Sequence, residues 1–192
     1  MTLFKKEACP FTKSEWLAIK NFAWSRLFCI NEIELILGVR IYIMLLGFDV
    51  RMVNKNDLPA LQELYLNLHD DEIMPITSET MQLWENILGD PNYHILIGEE
   101  LGKIVSSVTL VIIKNLTRKM RPHALIENMV TLPDYRNKGY AGLLIEKAVE
   151  IAKENNCYRA VFISGSKNDS TIRFYLNSGF TNTEKSAFVM KL

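Results

Sequence analysis

The chain has 192 residues, 48% apolar and 23% charged, enough for one domain with a full hydrophobic core and cramped for two. Lys plus Arg and Asp plus Glu both count 22. That balance excludes a general nucleic-acid binder, which needs a basic surplus to neutralise phosphates, but leaves room for a local basic patch on one small anion.

Residues 1–48 carry weak helical periodicity at Trp16, Ile19, Phe22 and Ala23, followed by an apolar, β-branched stretch. Glu32, Glu34 and Arg40 interrupt it, and the uncharged run Ile41 to Phe48 falls far short of the ~20 residues of a membrane span. No A-x-A cleavage pattern follows, so neither a membrane anchor nor a secretory signal is expected. The zone is set apart as an N-terminal extension of unassigned role, with a single domain expected over 49–192.

From Asp49 the pattern is regular. Val50 to Val53 reads as a strand, and Asn56 or Asp57 as the N-cap of a helix with Pro59 just inside it. Leu58, Leu61, Leu64, Tyr65 and Leu68 then recur at helical spacing. A second helix is predicted over Ser78 to Leu88, ending at the turn Asp90-Pro91-Asn92. His94 to Ile97 and Ile104 to Ile113 form a hairpin, and Arg118 to Pro122 a basic loop. A strand follows at Ala124 to Thr131, where alternation puts Ile126 and Val130 on one face and Glu127 and Met129 on the other. A polar loop, Asp134 to Gly139, opens onto a helix from Tyr140 to Glu154. Ala160 to Ile163 (strand), Ser170 to Asn177 (helix, ended by Gly179) and Phe188 to Met190 (strand) complete the chain. The order β-α-α-β-β-β-α-β-α-β predicts an α+β fold.

Cys9, Cys29 and Cys157 are scattered, and His69, His94 and His123 stand apart. Without metal-ligand spacing, reduced thiols in a cytoplasmic protein and no bound metal are expected.

Two segments carry chemistry. In Val130-Thr131-Leu132-Pro133-Asp134-Tyr135-Arg136-Asn137-Lys138-Gly139-Tyr140-Ala141 a strand runs through a loop into a helix, with small residues at the junction. Unpaired N–H groups and the dipole of a helix N-terminus receive anions, and Arg136 and Lys138 add charge. The segment matches neither GxxxxGK[ST] nor GxGxxG, which weighs against a nucleotide hydrolase. Alone, it also reads as a basic turn capping an ordinary helix. Downstream, Asn168 precedes Phe174-Tyr175-Leu176-Asn177-Ser178-Gly179-Phe180, which alone reads as packing aromatics with a left-handed glycine at the helix end.

Taken together, Arg136-x-x-Gly139-x-Ala141 and Asn168…Phe174-Tyr175-x-x-x-Gly179-Phe180 resemble two signatures of the GCN5-related N-acetyltransferases (GNAT), in the right order and one helix plus one strand apart. The resemblance extends weakly over Val50 to Leu192. It implies a mostly antiparallel central sheet with flanking helices, its central strands splayed to admit the pantetheine arm of acetyl-CoA. Main-chain groups of Met129, Val130 and Thr131 would line that arm. Amides from Arg136 through Asn137, Lys138, Gly139 and Tyr140 to Ala141 would bind the diphosphate, with Asn168 and Tyr175 also at the coenzyme. Tyr175 matches the family's general acid, which protonates the departing thiolate, and a strand amide near Val130 would hold the oxyanion.

A lysine-like ammonium must lose a proton before it attacks. Glu127 is the candidate base, with water, or a substrate-orienting or solvent-facing role for this carboxylate, as alternatives. Arg118, Arg121 and His123 read either as contacts to an anionic acceptor or as solvated loop charges. The function implied is acetyl transfer to a primary amine of a small molecule or peptide by direct attack in a ternary complex. The competing reading is a non-catalytic acyl-CoA sensor. A homodimer is compatible with the sequence, and no nucleic-acid or membrane partner is expected.

Overall fold

The computed structural model describes residues 38, 47–68, 73–165, 168–184 and 187–190. The chain divides into two units, 1–42 and 43–192, and the second holds all the strands and helices named below. Elements expected before residue 47 lie outside the described residues, as do His69, Cys9 and Cys29. Among the described residues no helix is long and apolar enough to cross a membrane.

Five strands form one sheet in sequence order: β1 (Phe48–Met52), β2 (Tyr93–Glu100), β3 (Lys103–Ile113), β4 (His123–Thr131) and β5 (Ala160–Phe162). The first four are antiparallel, and β5 lies parallel to β4. Among the described residues of this unit the α-helices are α1 (Leu58–Tyr65), α2 (Ser78–Gly89), α3 (Tyr140–Glu154) and α4 (Asp169–Asn177). This is the α+β architecture expected, with a mostly antiparallel sheet and flanking helices.

Both faces of β2 and β3 are covered, which explains why these strands read as nearly continuous apolar runs. On one side Leu58, Leu61 and Leu64 of α1 and Trp84 of α2 pack with Ile95, Ile97 and Val130. On the other, Leu144, Ala148 and Ala152 of α3 pack with Leu96, Val108, Leu110 and Ile126. Each fully buried aliphatic side chain contributes roughly 1.5–3 kcal/mol of transfer free energy, so the two clusters fix the layers.

One expectation holds in position and one is corrected. Asp57 is the N-cap of α1, with Pro59 just inside, but its side chain makes no cap hydrogen bond to α1, because it serves the 3-10 turn, Lys55–Asp57, that precedes the helix. Asn54 caps that turn: its side chain accepts from the Asn56 amide at 2.9 Å, while the Asp57 carboxylate accepts from the Asn54 amide at 2.7 Å. This is a capping box, in which Asp57 plays the reaching-back part. The strand expected at Phe188–Met190 does not form, and these side chains are exposed. The reason is the brevity of β5, whose three residues offer too few ladder hydrogen bonds to offset the ordering of another strand.

Asp57 also ties α1 to the sheet. Arg51 of β1 donates to both its oxygens, at 2.6 and 2.9 Å, and to Glu99 of β2 at 2.7 and 3.0 Å. The Arg51 guanidinium, aided by the Asn54 amide, holds the Asp57 carboxyl below its usual range against the opposing effect of burial. A carboxylate with a lowered folded-state pKa stabilises above its unfolded value of about 3.9 and loses that contribution as pH falls through the folded value. Urea titrations of Asp57→Asn are expected to show a loss of roughly 1–3 kcal/mol at pH 7. The gap to the wild type should close as pH falls below about 4.

Candidate active site

The site begins with an irregularity in β4. Ser107 of β3 faces Val130 and Thr109 faces Glu127, so Val108 alone opposes both Asn128 and Met129. The extra residue is a β-bulge, and Asn128 takes the left-handed conformation at φ 52° that asparagine tolerates better than most residues. The bulge overturns the expected alternation. Ile126 packs toward α3 with Met129 beside that cluster, whereas Val130 joins the α1–α2 cluster. Glu127, half-buried, lies near Tyr93 on the α1–α2 side and helps raise the Tyr93 phenol's pKa, after burial as the larger cause.

The bulge coincides with the end of the parallel pairing. β4 and β5 are in register only over Ala124–Ala160, Leu125–Val161 and Ile126–Phe162. From Glu127 to Thr131 the outer edge of β4 faces no strand among the described residues. On the inner side, the Ser106 hydroxyl donates to the Val130 carbonyl at 2.9 Å and lies 2.7 Å from the Thr131 hydroxyl, fixing the strand end.

The strand then enters the loop. The Leu132 amide donates to the Val105 carbonyl at 2.9 Å, and Pro133–Tyr135 makes a 3-10 turn. The Arg136 amide closes that turn onto the Pro133 carbonyl at 3.2 Å, so it is engaged within the loop. The Arg136 side chain reaches back to the Thr131 carbonyl at 3.0 Å. Asn137 (φ 61°) and Gly139 (φ 88°) are both left-handed, and Gly139 is the N-cap of α3. Alternating backbone handedness of this kind turns successive N–H groups toward one concavity. The Lys138 ammonium stands 4.6 Å from the Tyr135 ring centre.

Tyr140, the first residue of α3, is 1% exposed, and its ring stacks on Phe48 at 3.8 Å. Its side chain is therefore core, which leaves its main chain to the loop. Gly98 permits the stack, because a Cβ there would overlap the Phe48 ring.

Tyr175 on α4 packs its ring 4.0 Å from that of Phe162, the last residue of β5, with Phe174 and Phe180 around it. Burial drives its phenol pKa well above the ordinary value, so it is protonated at neutral pH. Asn168 is the N-cap of α4, its side-chain oxygen accepting from the Ser170 amide at 2.9 Å. Tyr175 thus stands against the short strand that parts from β4.

The Acetyltransferase (GNAT) family model matches residues 60–180. The chain belongs to the GNAT family. A solved candidate acetyltransferase of Agrobacterium tumefaciens is 34% identical, covers 74% of this chain and 99% of its own, and superposes with a TM-score of 0.69. A Trypanosoma brucei acetyltransferase is 25% identical over 75% of this chain and 99% of its own, with a TM-score of 0.65. Among curated proteins, the glucosamine 6-phosphate N-acetyltransferase of Trypanosoma brucei brucei is 34% identical over 84 residues. That match covers 44% of this chain and 55% of the relative, so the chain spans about half of that protein's length.

Within this GNAT fold, polar groups that sequence reading passed over line the α1 side of β3 and β4. Ser107 and Thr109 are 0% and 1% exposed, and neither hydroxyl completes a well-formed hydrogen bond among the described residues. Burial pushes the Tyr65 phenol up, and the neighbouring Thr109 and Ser107 hydroxyls pull it partly back. The signal was available: Ser106-Ser107-x-Thr109 interrupts a strand that is otherwise apolar and buried. In the basic loop Arg121 is neither a solvated charge nor shown at an acceptor: it donates to the Asn156 and Cys157 carbonyls at 3.1 and 2.9 Å, just past the end of α3.

Because the bulge needs a left-handed residue, Asn128→Gly should keep its stability within about 1 kcal/mol in thermal or urea melts. Asn128→Val should lose roughly 1–3 kcal/mol, since a β-branched residue is strained there.

Proposed function

We propose that this GNAT domain, taken over residues 49–192, is an acetyl-CoA-dependent N-acetyltransferase. It would move an acetyl group to a primary amine of a small molecule or peptide by direct attack in a ternary complex. The observation that carries the reading is the freed edge of β4 beyond Ile126, continuous with a loop whose Asn137 and Gly139 are both left-handed at the start of a long helix. An edge strand offers amides and carbonyls to an extended arm that carries amide groups of its own, and the helix start offers N–H groups and positive potential to a diphosphate.

In this reading, main-chain groups of Met129, Val130 and Thr131 hold the pantetheine arm. The amides from Asn137 to Ala141, with the Lys138 ammonium, hold the diphosphate. The bound coenzyme supplies a thioester, whose carbonyl an amine nitrogen attacks and whose sulfur departs. A β4 amide near Val130, on the free edge of the strand, stabilises the developing oxyanion, and Glu127 takes the ammonium proton, directly or through water. Tyr175 gives a proton to the departing sulfur; its raised phenol pKa keeps that proton in place through the neutral range. Asn168 contributes from the start of α4, its side-chain oxygen ordering the helix that carries Tyr175.

The name of the trypanosomal relative makes glucosamine 6-phosphate the first acceptor to try. Thiol release from acetyl-CoA, measured across a mixed amine panel containing it, is expected with at least one amine. Coenzyme binding with no thiol release from any amine would favour the sensor instead. Tyr175→Phe is expected to lower turnover roughly 100- to 10,000-fold. Glu127→Gln is expected to lower turnover and change the shape of the pH–rate profile, and an unchanged profile would assign the base to water.

A further inference from the structure

Glu100 ends β2 beneath the loop that joins β4 to α3, and its side chain is only 12% exposed. Its Oε1 accepts a hydrogen bond from the Tyr140 hydroxyl and lies 3.4 Å from the Lys138 ammonium. The same ammonium stands 4.6 Å from the Tyr135 ring centre and 5.7 Å from that of Tyr140. Lys138 is therefore drawn to a carboxylate and two aromatic faces, all on the protein side of the loop.

The electrostatics of the loop need such a partner. An ammonium at a helix N-terminus faces the positive end of the dipole, and Arg136 adds charge of the same sign. Without a compensating anion, the loop would be strained by its own repulsion. Tyr140 fixes that anion, since its ring is buried against Phe48 and its hydroxyl points to Glu100.

We propose that Glu100 is the resident counter-anion of the loop, holding Lys138 in the coenzyme-free protein and competing with the diphosphate for it. The inference rests on the coenzyme-binding role proposed for the loop. Its consequence runs against the usual result of removing a buried hydrogen-bonded charge. Losing the carboxylate's charge should strengthen binding of the anionic ligand, because Lys138 no longer has to leave a partner.

The experiment is calorimetry with coenzyme A on the full chain, wild type and E100Q, across ionic strengths. Glutamine keeps an oxygen for the Tyr140 hydroxyl while losing the charge. Expected is a Kd about 3- to 10-fold lower in E100Q at low salt, with a steeper dependence of log Kd on log salt. In a K138Q background the same change should move Kd less than about twofold, as it must if the two side chains act on each other. Y140F keeps the carboxylate's charge and should show no tightening.

An unchanged or weaker Kd in E100Q, with the wild type still binding, would overturn the proposal and leave the coenzyme reading standing. Equal tightening in Y140F would overturn it too, by assigning the effect to the tether instead of the charge. Absence of binding in every folded variant would overturn the coenzyme reading itself, and this inference with it.

Discussion

One added residue in β4 governs the geometry on which the rest of the site depends. β5 ends at Phe162, opposite Ile126, and the bulge at Asn128 follows two residues further along β4. Beyond Ile126 the outer edge of β4 therefore faces no strand among the described residues. Backbone N–H and C=O groups are obligatory hydrogen-bonding groups, so an edge of this kind calls for a partner. Glu127 lies opposite Ile126 by ordinary alternation, and the bulge that follows puts Val130 on the α1–α2 side with it. A single conformational requirement thus decides which side chains of β4 share a layer.

The sheet around the cleft is built so that the opening does not spread. Ser106 clasps the Val130 carbonyl from inside, Arg136 clasps the Thr131 carbonyl from the loop, and Leu132 is anchored to Val105. At the opposite edge of the sheet, Arg51 joins β1, β2 and the start of α1 through Asp57 and Glu99. These polar ties lie where cooperative packing is weakest, at strand ends and helix starts, while the two apolar clusters hold the middle.

Most of the fold was legible because it follows from periodicity. The α3 stripe, the β2–β3 hairpin and the turn at Asp90 came out of the sequence with only small boundary shifts. What escaped depended on tertiary context. Asn54 and Asp57 both favour capping, and only the 3-10 turn between them decides which one ends the chain's extended path. The bulge at Asn128 was invisible to an alternation argument, which assumes that the period of two never slips. Phe188–Met190 had the residues of a strand but not a neighbour long enough to pair with it.

The site was legible to a different depth. The loop's glycine and the Tyr175 segment were readable because each needs a particular residue type at a particular place. The groups that touch the loop and the strand end from elsewhere, Glu100 and Ser106, belong to other strands, and no spacing rule links position 100 to position 138. Charge compensation makes the same point from the energetic side. The loop gathers Arg136 and Lys138, charges of one sign, at the positive end of the α3 dipole. Against Lys138 the fold sets Glu100, a carboxylate held by a tyrosine whose ring is already part of the core. Such a balance is set by distances across the sheet, and only a folded chain contains them.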